Sequence, residues 1–219
     1  MRKKLLISIS IIFLSFSLFG QDTHKTPYEI KGEDLTKKAA QKIRDYESLK
    51  VEFTYIMENS SMDIYESLEG TLFSKGSKYY MEVGNNIFIS DGTTIWNYVD
   101  DLEEVQISSA EDAEGGLTPT LILEEFEDQF KATFIREETH KGKKVDIIDL
   151  VPETPQTFFK YRLALGSNDQ MIAYTIAYDR HGGTYTYNLD NMQTNISIPD
   201  SKFKFDESKF PNAFINDLR

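Results

Sequence analysis

Alternation of apolar and polar residues is the dominant pattern of this chain. Val51, Phe53 and Tyr55 fall on one side of an extended segment, while Glu52 and Thr54 fall on the other. Similar runs follow, separated by turns that contain Gly, Asn or Asp, and they predict about eleven antiparallel strands with short connections. These runs are residues 64–74, 78–83, 86–98, 103–107, 132–137, 144–151, 158–165, 171–178, 184–189 and 192–197.

Two stretches depart from this period and predict amphipathic helices. In residues 35–46, apolar side chains recur three or four residues apart, with lysines and an arginine between them. The second helix begins at Thr118-Pro119, an N-cap followed by a proline in the first turn, and continues through Ile122, Phe126 and Phe130. Both helices need a surface on which to pack, so we expect them to cover the sheet.

Residues 86–98 predict a hairpin that carries the only tryptophan of the protein. Ile87 and Ile89 share one face of its first strand, and Trp96 and Tyr98 share one face of its second strand. Such a surface must be covered either by other parts of the chain or by a bound ligand.

The N-terminus predicts export. Residues 1–20 have a basic start and then an uncharged apolar run that is short for a membrane span, which is the layout of a secretory signal peptide cleaved near Gly20-Gln21. The remaining residues 21–219 fit one domain. Loss of the three basic residues of the leader changes the formal net charge from −12 to −15, which argues against nucleic acid or anionic lipid as a partner. The chain has no cysteine, and therefore no disulfide, no thiolate metal site and no cysteine for a lipid anchor.

Catalytic patterns are weak. The three histidines, His24, His140 and His181, lie in polar or turn segments outside any nucleophile or zinc motif. Paired carboxylates such as Glu103-Glu104 and Glu124-Glu125 are abundant, but in an acidic chain they are typical of a solvated surface. We expect no enzyme activity, no metal and no cofactor, and a secreted hydrolase stays the less favoured alternative.

Several stretches together resemble the periplasmic outer-membrane lipoprotein carrier family, LolA. They occur in the family's order and are distributed along nearly the whole of residues 21–219: residues 46–57, 70–73, 78–83, 89–98 and 177–205. Tyr55 stands where the family commonly has a glutamine. The family often has an arginine within residues 70–81, where this chain offers only Lys75 and Lys78 in the turn.

The resemblance implies an open half-barrel of antiparallel strands, covered by helices that enclose a hydrophobic cavity. It also implies a monomeric periplasmic protein that binds the acyl chains of lipoproteins. An inner-membrane ATP-driven exporter would be the donor, and an outer-membrane protein the acceptor. A lipid- or lipoprotein-binding sensor of the same fold stays open as an alternative.

We expect the cavity to be lined by aromatic and aliphatic side chains of the early strands and of the second helix, which would move aside. The predicted lining residues are Phe53, Tyr55, Tyr79, Met81, Ile89, Trp96, Tyr98, Ile122, Phe126 and Phe130.

Overall fold

A computed structural model describes residues 25–112 and 129–219 of the 219-residue chain. These residues contain one α-helix and twelve β-strands. Their bounds are α1 (Pro27–Arg44), β1 (Leu49–Asn59), β2 (Ile64–Lys75), β3 (Lys78–Val83), β4 (Asn86–Ser90), β5 (Thr94–Val99), β6 (Glu104–Ser109), β7 (Phe130–His140), β8 (Lys143–Pro152), β9 (Phe158–Gly166), β10 (Ile172–Asp179), β11 (Thr184–Thr194) and β12 (Phe214–Asp217).

The twelve strands form a single open sheet in the order β12-β6-β5-β4-β3-β2-β1-β11-β10-β9-β8-β7. Neighbouring strands are antiparallel except β12, which runs parallel to β6. Strands β12 and β7 are the two edges, so the sheet does not close on itself. The predicted fold class, a mainly β open half-barrel covered by helices, is confirmed, and the described residues contain one of the two predicted helices.

Four details differ from the sequence prediction. The runs 184–189 and 192–197 belong largely to one strand, β11, because a bulge beside Asp190 lets Glu52 pair with Asn191 while Phe53 pairs with Leu189. Strand β12 was not predicted, because its short run lacks clear alternation. Helix α1 begins earlier than expected, at Pro27.

The fourth difference concerns the predicted second helix. Phe130 is the first residue of strand β7 and pairs with Pro152, so its assignment to a helix is wrong. The four-residue spacing of Ile122, Phe126 and Phe130 in the sequence extends into the first residue of β7. This spacing concealed where the strand begins. Ile122 and Phe126 lie outside the described residues.

We call the sheet face that carries α1 the inner face, and the opposite one the outer face. Ala39, Ala40 and Ile43 of α1 share one buried cluster with inner-face residues that include Ile148 and Leu163. Helix α1 packs mainly on β7 and β8. The helix therefore covers one end of the inner face.

Glycine at position 32 sets how closely α1 approaches the sheet. A Cβ atom there would lie 2.6 Å from the backbone nitrogen of Phe134 and 2.9 Å from the carbonyl carbon of Thr133. Nearby, the Lys31 ammonium lies 3.5 Å from the Phe134 ring centroid and 3.5 Å from Oδ1 of the buried Asp146. Direct backbone packing, a cation–π contact and an ion pair thus hold the N-terminal half of α1 on β7 and β8.

The outer face of β3–β5 is covered by residues 199–213, which we call the strap. Aromatic rings join the two: Trp96 stacks on Phe205 with centroids 6.2 Å apart, and Tyr98 contacts Phe210 at 4.5 Å. Phe205 and Phe210 also stack on each other at 5.3 Å. This four-ring stack protects apolar groups of the hairpin from water.

Charged side chains fasten the strap at its first turn. Lys75 Nζ lies 2.9 Å from Asp200 Oδ1, and Lys78 Nζ lies 3.7 Å from Asp200 Oδ2. Lys202 lies over the ring of Tyr80, 3.6 Å from its centroid. The two lysines that occupy the region of the family's arginine therefore pair with the strap on the outer face.

Replacing Gly32 by alanine tests the close approach of α1. Helix propensity alone favours alanine by about 1 kcal/mol, whereas the backbone clash costs about 1–3 kcal/mol. We expect the free energy of unfolding of Gly32→Ala, measured with urea, to fall by up to about 2 kcal/mol. Lys37→Ala, an exposed change on the same helix, should stay within about 0.5 kcal/mol of the wild type. A more stable Gly32→Ala protein would contradict the close packing.

Replacing Phe210 by alanine tests the strap. Removal of a ring that contacts both Phe205 and Tyr98 should lower the free energy of unfolding by about 1–3 kcal/mol. It should also shift the emission of Trp96, the only tryptophan, to longer wavelength as water reaches the stack. Phe214→Ala removes a ring that is 68% exposed on β12 and is the matched control. Equal effects of the two changes would show that the stack contributes nothing.

Candidate functional site

The inner face of β11 and β1–β4 is rich in aromatic and aliphatic side chains. They form one continuous apolar surface with the core under α1. We call this surface the aromatic section, and it comprises Phe53, Tyr55, Leu68, Tyr79, Met81, Phe88, Tyr185, Tyr187 and Leu189.

Burial changes along strand β1. Val51 and Phe53 are buried, with 2% and 5% of their surface exposed. Tyr55 and Met57, further along the same face, are only partly buried. The aromatic section is therefore sealed at one end and less tightly covered toward the β1–β2 turn.

A glycine makes room for the ring at the buried end. Phe53 pairs across the strands with Gly70, and a Cβ on Gly70 would lie 2.4 Å from Phe53 Cζ. The absence of a side chain on β2 lets the phenyl ring lie across the sheet.

Tyrosines dominate the less covered end. Tyr55 pairs with Tyr187, and their ring centroids are 5.1 Å apart; Phe53 lies 5.5 Å from Tyr187. The hydroxyl of Tyr185 donates a hydrogen bond of 3.0 Å to Asp179 Oδ2. Polar atoms thus border the apolar surface at this end.

Burial changes the acidity of these phenols. It raises the pKa of Tyr55 to about 12, with smaller contributions from nearby Tyr185 and Glu66. Burial likewise raises the pKa of Tyr187 and that of Tyr79. All three hydroxyls stay protonated near neutral pH and can donate hydrogen bonds.

The structure divides the predicted lining residues between two faces. Phe53, Tyr55, Tyr79 and Met81 lie together in the aromatic section, and Phe130 belongs to the core cluster continuous with it.

Ile89, Trp96 and Tyr98 lie on the outer face, so their placement with Phe53 is corrected. Strand β4 pairs Met81 with Phe88, which puts Phe88 on the inner face and Ile89 on the other. Ile89 then pairs with Trp96, which stacks under the strap. Alternation correctly predicted which residues share a face within the hairpin. It could not show which of the two hairpin faces is continuous with the inner face of β1.

Five members of the aromatic section were missing from the predicted lining. They are Leu68, Phe88, Tyr185, Tyr187 and Leu189. The last three alternate in sequence and so had a recognisable signal, but assigning them to this face required the pairing of β11 with β1. That contact joins residues more than one hundred positions apart and leaves no local pattern.

Several motif residues that carry the family resemblance have structural roles. Asp91 Oδ1 accepts hydrogen bonds from the backbone of Thr93 and Thr94, closing the turn of the hairpin. Asp179 Oδ1 accepts from the backbone of Gly183, and Asn195 Oδ1 accepts from the backbone of Glu47. These side chains stabilise turns and strand ends rather than present chemistry to a ligand.

Two of the three histidines, His140 and His181, lie among the described residues. The His140 ring lies against Tyr174, with centroids 5.0 Å apart, and His181 lies in the exposed β10–β11 turn. Within residues 25–112 and 129–219, no three His, Asp or Glu side chains are grouped so as to hold a metal ion. The same residues contain no helix with the length and apolar character needed to cross a bilayer.

Comparisons with known proteins agree with this geometry. The family model described as Outer membrane lipoprotein carrier protein LolA matches residues 44–206. An outer-membrane lipoprotein carrier protein of Nitrosospira multiformis is 25% identical over 199 residues, covering 89% of this chain and 91% of that protein. An uncharacterized protein of Methanocaldococcus jannaschii is 24% identical over 186 residues, which are 81% of this chain and 52% of that relative's length.

Among solved structures, an uncharacterized conserved protein from Thermus thermophilus has a similar fold, with a TM-score of 0.54 and 10% identity over 84% of this chain and 98% of that one. Because the family match extends over residues 44–206, well beyond half of the sequence, the chain belongs to the LolA family of outer membrane lipoprotein carrier proteins.

Proposed function

We propose that this protein carries lipoproteins through the periplasm by holding their acyl chains against the aromatic section of its inner face. The observation that carries the proposal is the continuity of that surface from the sealed core at Val51 and Phe53 to the partly covered tyrosines. A surface of this kind suits a flexible hydrocarbon, because it offers apolar contact without fixing a shape. Membership of the LolA family supports the same cargo.

The energetics favour retention of such a cargo. Each methylene group withdrawn from water contributes about 0.8 kcal/mol, so one acyl chain of membrane length represents on the order of 10 kcal/mol. Passage to a second protein is then favourable only if the acceptor holds the chain more tightly. Loading needs an external source of energy, which an inner-membrane ATP-driven exporter would supply. An outer-membrane acceptor would complete the transfer.

The proposal places the protein in the periplasm after removal of residues 1–20, and it assigns the protein a binding role without catalysis. The predicted leader lies outside the described residues. The formal net charge without the leader, −15 after loss of its three basic residues from the −12 of the full chain, suits a carrier that must leave anionic membrane surfaces readily.

A pair of neighbouring substitutions tests the binding surface. Leu68 lies on the inner face and pairs with Tyr55, whereas Ser67 is exposed on the opposite face of the same strand. Leu68→Glu places a charge against the acyl chains and should weaken binding of a fluorescent diacylated lipopeptide at least about tenfold, because a carboxylate is costly to bury. Ser67→Glu adds the same charge and should leave the dissociation constant unchanged.

Equal loss of binding in both variants would indicate a general charge effect and would contradict the assigned surface, as would unchanged binding in Leu68→Glu. Circular dichroism of both variants verifies that the sheet is intact.

Depletion of the protein in its own cell, followed by membrane fractionation, separates transport from sensing. Transport predicts that lipoproteins accumulate in the inner membrane, whereas a sensor leaves their distribution unchanged.

A further inference from the structure

The aromatic section contains phenol hydroxyls where phenylalanine would serve a purely hydrocarbon ligand equally well. Tyr55 and Tyr187 face each other across β1 and β11, with ring centroids 5.1 Å apart. Among the residues that the structure describes, neither hydroxyl has a hydrogen-bond partner, in contrast to Tyr185, which donates to Asp179. Neither hydroxyl oxygen is among the buried polar atoms that lack a partner, so both reach the accessible surface and are free to donate to a ligand that brings acceptors.

The position of the pair is at a boundary. Toward one end of β1 lie the buried Val51 and Phe53, which offer only apolar surface. Toward the other end, Met57 pairs with the exposed Glu66, and Asp179 follows beside Tyr185. Tyr55 and Tyr187 therefore lie where an apolar surface gives way to a polar rim, as aromatic side chains with a polar tip do at membrane interfaces.

An acyl group bound to a protein or to glycerol has the same polarity profile. Its hydrocarbon chain ends at an ester or amide carbonyl, and the polar remainder of the molecule follows. If the chain lies along the aromatic section with its methyl end toward Phe53, the carbonyl reaches the tyrosine level and the head group reaches the rim.

We infer that Tyr55 and Tyr187 donate hydrogen bonds to the carbonyl oxygens of the bound acyl groups, so that the site selects carbonyl-linked acyl chains over plain alkyl chains. This inference rests on the proposed acyl-chain binding and adds a specificity determinant to it. Because burial raises the pKa of both phenols, they stay donors at any pH that the periplasm reaches, and the selection should not change between about pH 6 and 9.

The test compares two synthetic lipopeptides that differ only in their linkage. One carries two ester-linked acyl chains, and the other carries ether-linked alkyl chains of the same length without carbonyls. The wild type should bind the ester form at least about three- to tenfold more tightly, the range expected for each net hydrogen bond to a neutral acceptor. The double variant Tyr55→Phe/Tyr187→Phe should bind both forms with the affinity that the wild type has for the ether.

Tyr178→Phe is the matched control, because it removes a phenol from the outer face, where Lys160 lies 4.1 Å from the ring centroid. It should keep the preference of the wild type. Equal binding of the two lipopeptides by the wild type would overturn the inference and leave the proposed function standing. This comparison uses the wild type alone and requires no variant. A preference retained in the double variant would overturn it as well. Binding of neither lipopeptide by the wild type would remove the proposed function, and the inference with it.

Discussion

The two-sidedness of the β-sheet is the constraint on which the rest of this structure depends. Successive side chains point to opposite faces, and this chain places apolar groups on both faces of β3–β5. Each face must then be withdrawn from water by something. The outer face is covered by the strap through the stack of Trp96, Phe205 and Phe210. The inner face is covered by α1 at the β7–β8 end, and the aromatic section lies beyond that contact.

Under the proposed function, this division separates stability from ligand binding within one sheet. The outer stack and the contact of Gly32 with β7 are fixed packing, made by the chain with itself. The aromatic section is a different kind of surface, because its tyrosine rings and hydroxyls are only partly enclosed. A carrier needs both: a rigid frame on one side and, on the other, an apolar surface whose contacts can be exchanged for those of a guest.

Much of the frame could be predicted from the sequence, because strands and turns leave local signals. Alternation located nearly every strand, and the turn residues Asp91 and Asp179 occupy the turns that their chemistry favours. The start of α1 also had a signal that was missed: Thr26 and Glu29 form a capping box around Pro27. Strand β12 is too short to show a clear alternation of apolar and polar residues.

The candidate site was less accessible to prediction, for a physical reason. Period-two alternation fixes which residues share a face within a strand, but only strand pairing fixes which face continues into the next element. The bulge beside Asp190 and the pairing of β11 with β1 bring Tyr187 to Tyr55, across a long separation in sequence. The hairpin with the single tryptophan has a distinctive sequence motif. The aromatic rings of that motif pack against the strap on the outer face and not against a guest on the inner face.

The central claim is that a guest lies on the inner face, and photo-crosslinking tests it at the resolution of single residues. A lipopeptide with a diazirine next to the carbonyl end of its acyl chain is irradiated with the purified mature protein, and the labelled residues are located by peptide mass spectrometry. Our account predicts labels on Tyr55 and Tyr187, and none on Thr54 or Trp96. Labels concentrated on Trp96 and the strap, or spread evenly over both faces of β1, would contradict it.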